Sequence, residues 1–233
     1  LTRQAYYQSK NRVEKDLIEQ EILLDKIGDI RKDHKRLGGR KLFFKLETFM
    51  HEHNIKMGRD AFFDLLRDNK LLIKQRKRHH VTTNSNHWMK KYPNLIKDIE
   101  PLGPNHVWVS DITYWKTKGG HYYISFITDA YSRKIVGYHV ADTMEAIESA
   151  TALKMAIKTL KISAEGLIHH SDRGSQYCSS MYVNTLKKEG IKISMTENGD
   201  PLENAIAERI NGIIKGEYLF DYLIKTLLNA KEV

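Results

Sequence analysis

The chain has 233 residues, 41% hydrophobic and 29% charged, enough for one sizeable core and a smaller second domain. No apolar run approaches the roughly 18–20 residues that span a bilayer, and the N-terminus is too polar for a secretory signal. One cysteine, Cys178, excludes an internal disulfide framework and fits a reducing compartment, so a cytoplasmic location without a membrane partner is expected. The net charge of +9 lies in residues 1–100, which hold 23 Lys/Arg against 14 Asp/Glu, while the rest hold 15 of each. A basic first part beside a neutral second part points to a polyanion such as nucleic acid, or else to a solvated lysine-rich surface.

Residues 9–36 place Val13, Leu17, Leu24 and Ile27, with Leu23 and Ile30 alongside, at helical spacing against a charged face. The "LGG" at 37–39 is expected to stop this helix. A second helix follows over 40–54, then the turn "IKMG" and a third helix from Arg59, which makes a helix-turn-helix candidate. The tract "KQRKRHH" (74–80) comes next. Residues 81–105 lack periodicity and hold three of the four prolines, as a linker would. The expected organisation is a helical DNA-binding region over 1–80, a linker over 81–105 and a second domain over 106–233. Since the chain starts with Leu, a fragment or trimmed chain is expected.

From residue 106 the pattern turns to strands. "HVWVSDITYWKT" alternates, "GG" at 119–120 makes a hairpin turn, and "HYYISFITDAYS" returns, with "RKIVGYHVA" as a third strand. A helix over 144–160, the short strand "GLIHHS", a helix over 179–190 and the strand "IKISMT" complete the set. A long helix then starts near Asp200 as N-cap, with Pro201 at the first position and Glu203 three residues past the cap. The order predicts an α/β, ribonuclease-H-like domain with a mixed five-stranded sheet.

Three acidic residues stand out by position. Asp111 sits mid-strand among apolar residues, where a charge costs several kcal/mol unless paired or metal-bound. Asp172 ends the strand "GLIHHS"; local context alone reads it as a turn former before Arg173-Gly174. His169 and His170 read as its strand-end neighbours. Glu208 shares a helix face with Asn204, Asn211 and Lys215, opposite Ile206, Ile210, Ile213 and Ile214; that face fits either a catalytic edge or solvent. Converging carboxylates need cations between them, and hard oxygen donors favour Mg2+ or Mn2+. Two such ions would activate a water or a 3′-hydroxyl and stabilise the leaving oxygen of a phosphodiester.

Asp111, Asp172 and Glu208 are separated by 60 and then 35 residues. The last gap, with "WVSDITYW", "HHSDRGSQY" and "NGDPLENAIAERINGIIKGEY", resembles the D,D(35)E transposases and retroviral integrases. In particular it resembles the second-frame transposases of the bacterial insertion-sequence-three family. "HKRLGGRKL" is similar to a stretch of that family's helix-turn-helix region. The resemblance implies an integrase-type catalytic core whose Asp111, Asp172 and Glu208 are catalytic and hold two Mg2+ ions, Mn2+ substituting. It implies cleavage at insertion-sequence ends and strand transfer of the 3′-hydroxyl, with double-stranded DNA as partner and a homo-oligomer on paired ends. Asn204, Asn211, Arg173 and Lys215 are expected to touch that DNA, and Arg40, Lys41, Lys74, Arg76, Lys77 and Arg78 to meet phosphates. Two departures are Glu203-Asn204 where the family has Asp-Asn, and Gly212 where it often has lysine. The family also continues into an Asn-x-x-Arg-Pro-His stretch absent here, so a truncated C-terminal part is expected. The rival readings are a ribonuclease-H-like nuclease and a DNA-binding protein with a degenerate integrase-like domain.

Overall fold

The structure, a computed structural model, describes residues 2–73, 87–97, 99–160, 164–197, 204–219 and 224–232. The chain divides into two compact units, Leu1–Arg78 and His79–Val233.

The first unit holds three helices, α1 (Arg3–Asp33), α2 (Gly39–Glu52) and α3 (Arg59–Asp68). Its core is made by Leu23 and Ile27 of α1, Leu42, Leu46 and Met50 of α2, and Phe62, Leu65 and Leu66 of α3. Burying each Leu or Ile there stabilises the unit by roughly 1.5–3 kcal/mol. Only the second half of the α1 stripe is used this way, because Val13 and Leu17 are exposed. The helix also ends before "LGG": α1 stops at Asp33, and Gly38 is the N-cap of α2 instead. Gly39 lies so close to Phe63 that a Cβ there would come within 2.9 Å of the ring. The glycines serve the entry of α2 and its packing on α3, rather than the exit of α1.

The second unit is built on a mixed sheet of five strands: β1 (Val107–Thr117), β2 (Gly120–Asp129), β3 (Ile135–Ala141), β4 (Ile168–Ser171) and β5 (Lys192–Met195). The spatial order is β3-β2-β1-β4-β5. The first three strands pair antiparallel, while β1 with β4 and β4 with β5 pair parallel. This is the α/β, ribonuclease-H-like arrangement expected from the sequence.

Alternation along β1 sends Trp108 and Ile112 to one face and Val107 and Val109 to the other. The Trp108 face is covered by α4 (Ala146–Lys158) and by α6 (Ser180–Lys188), with the short α5 (Ser175–Cys178) between β4 and α6. The α4 helix comes down directly on β3 at Gly137, where a Cβ would stand 2.4 Å from the Ala152 carbonyl oxygen. The opposite face packs Val107, Val109 and Ile168 against Ala207 of α7 (Ala205–Ile213).

The helix beginning near 200 is shorter than expected. α7 passes into a π-helical turn, Ile214–Tyr218, closed by Leu219 N–H donating to the Ile214 carbonyl at 3.0 Å. Trp115 Nε1 donates to the Leu219 carbonyl at 3.2 Å and ties the turn to β1. A separate short helix, α8 (Leu227–Glu232), follows, and Ile224 and Ala230 pack on Trp115, Tyr122 and Phe126. The expected cap at Asp200, Pro201 and Glu203 lies outside the described residues.

Of the linker expected over 81–105, the described residues of 87–105 carry no helix or strand, yet their first half is bound into the second unit. Met89 and Tyr92 pack against the main core. Ser194 Oγ accepts from Leu95 N–H at 2.8 Å, and His87 Nε2 donates to the Arg173 carbonyl at 2.8 Å. Apolar and hydrogen-bonding side chains scattered without period can pack as an arm, and this stretch does. No helix among the described residues is long and apolar enough to cross a membrane.

Candidate active site

The parallel pairing of β1 with β4 sets the geometry. Ser110 stands opposite Ser171, the last registered pair, so Asp111 and Asp172 are the next residues on neighbouring strands. Asp111 shares the parity of Val107 and Val109 and therefore faces α7. There Asn211 Nδ2 donates to Asp111 Oδ2 at 2.6 Å, while Ile112 N–H donates to Oδ1 at 2.8 Å. Asp172 Oδ1 accepts from Gly174 N–H at 2.9 Å, closing the turn that opens α5. A Cβ at Gly174 would stand 3.0 Å from Asp172 Oδ1 and from Gln176 Oε1, so those side-chain ends would have to give by a few tenths of an ångström.

Burial pushes the Asp111 carboxyl up to about 7, with the Asp172 charge as the next cause and Glu208 a smaller one; the Ile112 and Asn211 hydrogen bonds oppose the rise. Two carboxylates at one strand edge thus repel each other in a poorly solvated place. Glu208 lies on α7, one turn before Asn211, and is exposed. Partial desolvation raises its carboxyl.

These groups suit a hard divalent cation in donor chemistry. The Asp111–Asp172 pair supplies the oxygens, and a cation between them would remove the repulsion that lifts Asp111. Among the described residues no three His, Cys, Asp or Glu side chains stand close enough to form a ligand group. Glu208 is brought to the same edge by its helix without closing on the pair.

The two asparagines expected to contact DNA are turned inward instead. Asn204 and Asn211 are both buried. Asn204 Nδ2 donates to the Ser110 carbonyl at 3.0 Å and Asn211 serves Asp111. The polar face of α7 is packed on β1, so its amide nitrogens serve the strand that carries Asp111, while both Oδ1 atoms are buried with no partner among the described residues. Arg173 is half-buried, and Lys215 is half-buried within the π-helical turn. Arg40 and Lys41 are exposed at the start of α2, in the first unit. Lys74, Arg76, Lys77 and Arg78 lie outside the described residues.

Below the carboxylates runs a buried polar network. His169 Nε2 meets Ser110 Oγ at 2.7 Å and the Tyr182 hydroxyl at 2.9 Å. Burial, then His170, lowers the His169 imidazole to about 3, so it is neutral and spent on the scaffold. His170 Nδ1 pairs with Ser194 Oγ at 2.8 Å. Both histidines therefore tie β4 to its neighbours. Tyr177, the last residue of the "HHSDRGSQY" stretch, belongs to this layer: it is 3% exposed, and its hydroxyl has no hydrogen-bond partner among the described residues. A buried hydroxyl left so costs about 1–3 kcal/mol.

The integrase core domain family matches residues 101–201, and a second integrase core domain family matches residues 189–233. The transposase for insertion sequence element IS904 of Lactococcus lactis is 32% identical over 222 residues, covering 95% of this chain and 86% of that protein. Transposase InsF for insertion sequence IS3A of Escherichia coli is 30% identical, covering 78% of this chain and 62% of that protein. The chain belongs to the insertion-sequence-three family of transposases.

Within that family, the chain is also 40% identical to the insertion element IS600 31 kDa protein of Shigella sonnei over 76% of its own length. It spans 65% of that relative's length. Among solved structures, the HTLV-2 integrase catalytic core domain in complex with magnesium aligns with 26% identity over 57% of this chain and 84% of that one, at a TM-score of 0.45.

Proposed function

We propose that this transposase cleaves DNA at the ends of its insertion element and joins the freed 3′-hydroxyl to a second phosphodiester. The reading rests on one observation: Asp111 and Asp172 follow the Ser110–Ser171 pair on adjacent parallel strands, with Asp111 raised to about 7 by burial and by its neighbour. A strand edge that holds two carboxylates against their own repulsion is suited to a cation-assisted phosphoryl transfer. Family membership favours end cleavage and joining over an unspecific nuclease or a binding module.

In this reading Asp111 and Asp172 hold divalent magnesium or manganese, and Glu208 completes the set as α7 closes on the pair. The cations supply an activated oxygen nucleophile and stabilise the leaving oxygen. Asn211 keeps the Asp111 carboxylate oriented, and Asn204 fixes the start of α7 on β1. In this reading Arg173 and Lys215 are the cationic side chains that meet a DNA phosphate beside the Asp172 carboxylate. The first unit holds duplex DNA through Arg40, Lys41 and the basic tract, and the active form is a homo-oligomer on paired ends.

The test is cleavage and joining of a labelled element end with Mg2+. Asp111→Asn, Asp172→Asn and Glu208→Gln are each expected to abolish both steps and leave end binding within about twofold of wild type. Near wild-type cleavage by any one of them would remove that residue from the catalytic set.

A further inference from the structure

One peptide beside the carboxylates is held from both ends. The Gly174 N–H donates to Asp172 Oδ1 at 2.9 Å, and the carbonyl of the same peptide, that of Arg173, accepts from His87 Nε2 at 2.8 Å. A carbonyl only accepts, so Nε2 carries the proton of the His87 ring. In a trans peptide the N–H and the C=O lie in one plane and point in opposite directions. Whatever fixes the Arg173 carbonyl therefore also aims the Gly174 N–H, and with it the Asp172 oxygen that this N–H holds. The Cys178 thiol faces the same carbonyl, but at 4.0 Å and as a weak donor.

His87 comes from the arm, not from the sheet and helices that carry the carboxylates. The arm gives it a fixed base. Met89 and Tyr92 pack against the main core, the Pro93 carbonyl accepts from Met195 N–H at 3.2 Å, and Leu95 N–H donates to Ser194 Oγ at 2.8 Å. Ser194 and Met195 close β5, next to β4 in the sheet, so the arm is bound along the strand ends beside Asp172. Residues 172–174 lie between the end of β4 at Ser171 and the start of α5 at Ser175. They belong to no ladder, and their direction is set by the few groups that reach them.

We infer that His87 is a positioning residue for Asp172: its ring N–H fixes the Arg173–Gly174 peptide, which keeps the Asp172 carboxylate in the orientation in which a divalent cation is taken up. Each hydrogen bond in such a relay polarises the next, so a donor on the carbonyl strengthens the N–H that serves the carboxylate. Partners one step behind a metal ligand commonly set that ligand's orientation. His87 itself touches neither cation nor DNA. The inference rests on the metal-site reading above. It adds a residue that precedes the stretch matched by the integrase core domain, 101–201.

Two full-chain variants divide the side chain into its parts: His87→Gln keeps an N–H donor and drops the ring, and His87→Phe keeps a ring and drops the donor. His87→Ala drops both and is expected to behave as His87→Phe. In metal-free protein the Gly174 amide is expected to keep its protection from hydrogen exchange in His87→Gln and to lose it in His87→Phe. The midpoint for thermal stabilisation by manganese chloride is expected to rise by about 10–100-fold in His87→Phe, the usual effect of losing a partner behind a metal ligand. Cleavage at sub-saturating Mn2+ should fall in step, with His87→Gln near wild type in both. An equal rise in both variants would overturn the role of the donor. So would a lowered melting temperature in His87→Phe with the midpoint unmoved, which marks a bond that serves the arm alone. Asp172→Asn, measured beside them, keeps the two readings apart. If it loses its manganese response and its cleavage while His87→Phe retains both, only the role of His87 falls. If Asp172→Asn retains both, the metal-site reading falls and the role of His87 with it.

Discussion

At the scale of single residues, Asp111 carries the most consequential energetics. Its folded carboxyl titrates at about 7 against an ordinary 3.8, so the folded chain binds a proton that the unfolded chain has already released. Stability is then highest below about pH 4 with respect to this group and declines as pH rises through 7, by at most about 4 kcal/mol. The expected result in metal-free buffer is a chemical-denaturation midpoint that falls between pH 4 and 7, with that slope missing in Asp111→Asn. Asn211→Ala should steepen the decline, because it removes the amide hydrogen bond that holds the titration down. At pH 8 it should cost about 1.5–3 kcal/mol, as for a hydrogen bond to a charged group. Asp111 was legible in sequence because a charge interrupts an alternating strand. Asn211 was legible as part of a polar face but not as the partner of Asp111, since helix periodicity tells which residues share a face and not what that face meets.

At the scale of elements, β1, β2, β3 and α4 could be read from period and turn signals, because each is long enough to show its repeat. The four-residue α5 and the π-helical turn at Ile214–Tyr218 could not. One turn of helix has no period, and the π turn uses residues that would continue an α-helix equally well. The packing of α4 on β3 was equally hidden, since it depends on the missing Cβ of Gly137. Gly137→Ala is expected to destabilise the protein strongly, by about 2–4 kcal/mol, because the new methyl would meet the Ala152 carbonyl and α4 would have to lift. Gly28→Ala is the matched control in α1, where a Cβ meets nothing within 4 Å. It should stabilise by about 0.5–1 kcal/mol through helix propensity. Thermal denaturation of the two variants separates a steric glycine from an incidental one.

At the scale of the molecule, the charge division between the first 100 residues and the rest assigns, under the proposed function, the phosphate-neutralising part of duplex binding to the basic portion. Arg40→Gln and Lys41→Gln together should weaken duplex binding across unrelated sequences and reduce the slope of log affinity against log salt by about two. A slope unchanged from wild type would take α2 out of the phosphate-binding surface. The way the second unit is threaded has a further consequence, in time. Asp111 and its amide partner Asn211 are 100 positions apart in the chain, and β4 with Asp172 lies between them. A ribosome adding roughly 5–20 residues per second exposes the first carboxylate about 5–20 seconds before the helix that orients it exists. The nascent chain therefore carries its acidic strand edge unfinished until α7 has been made.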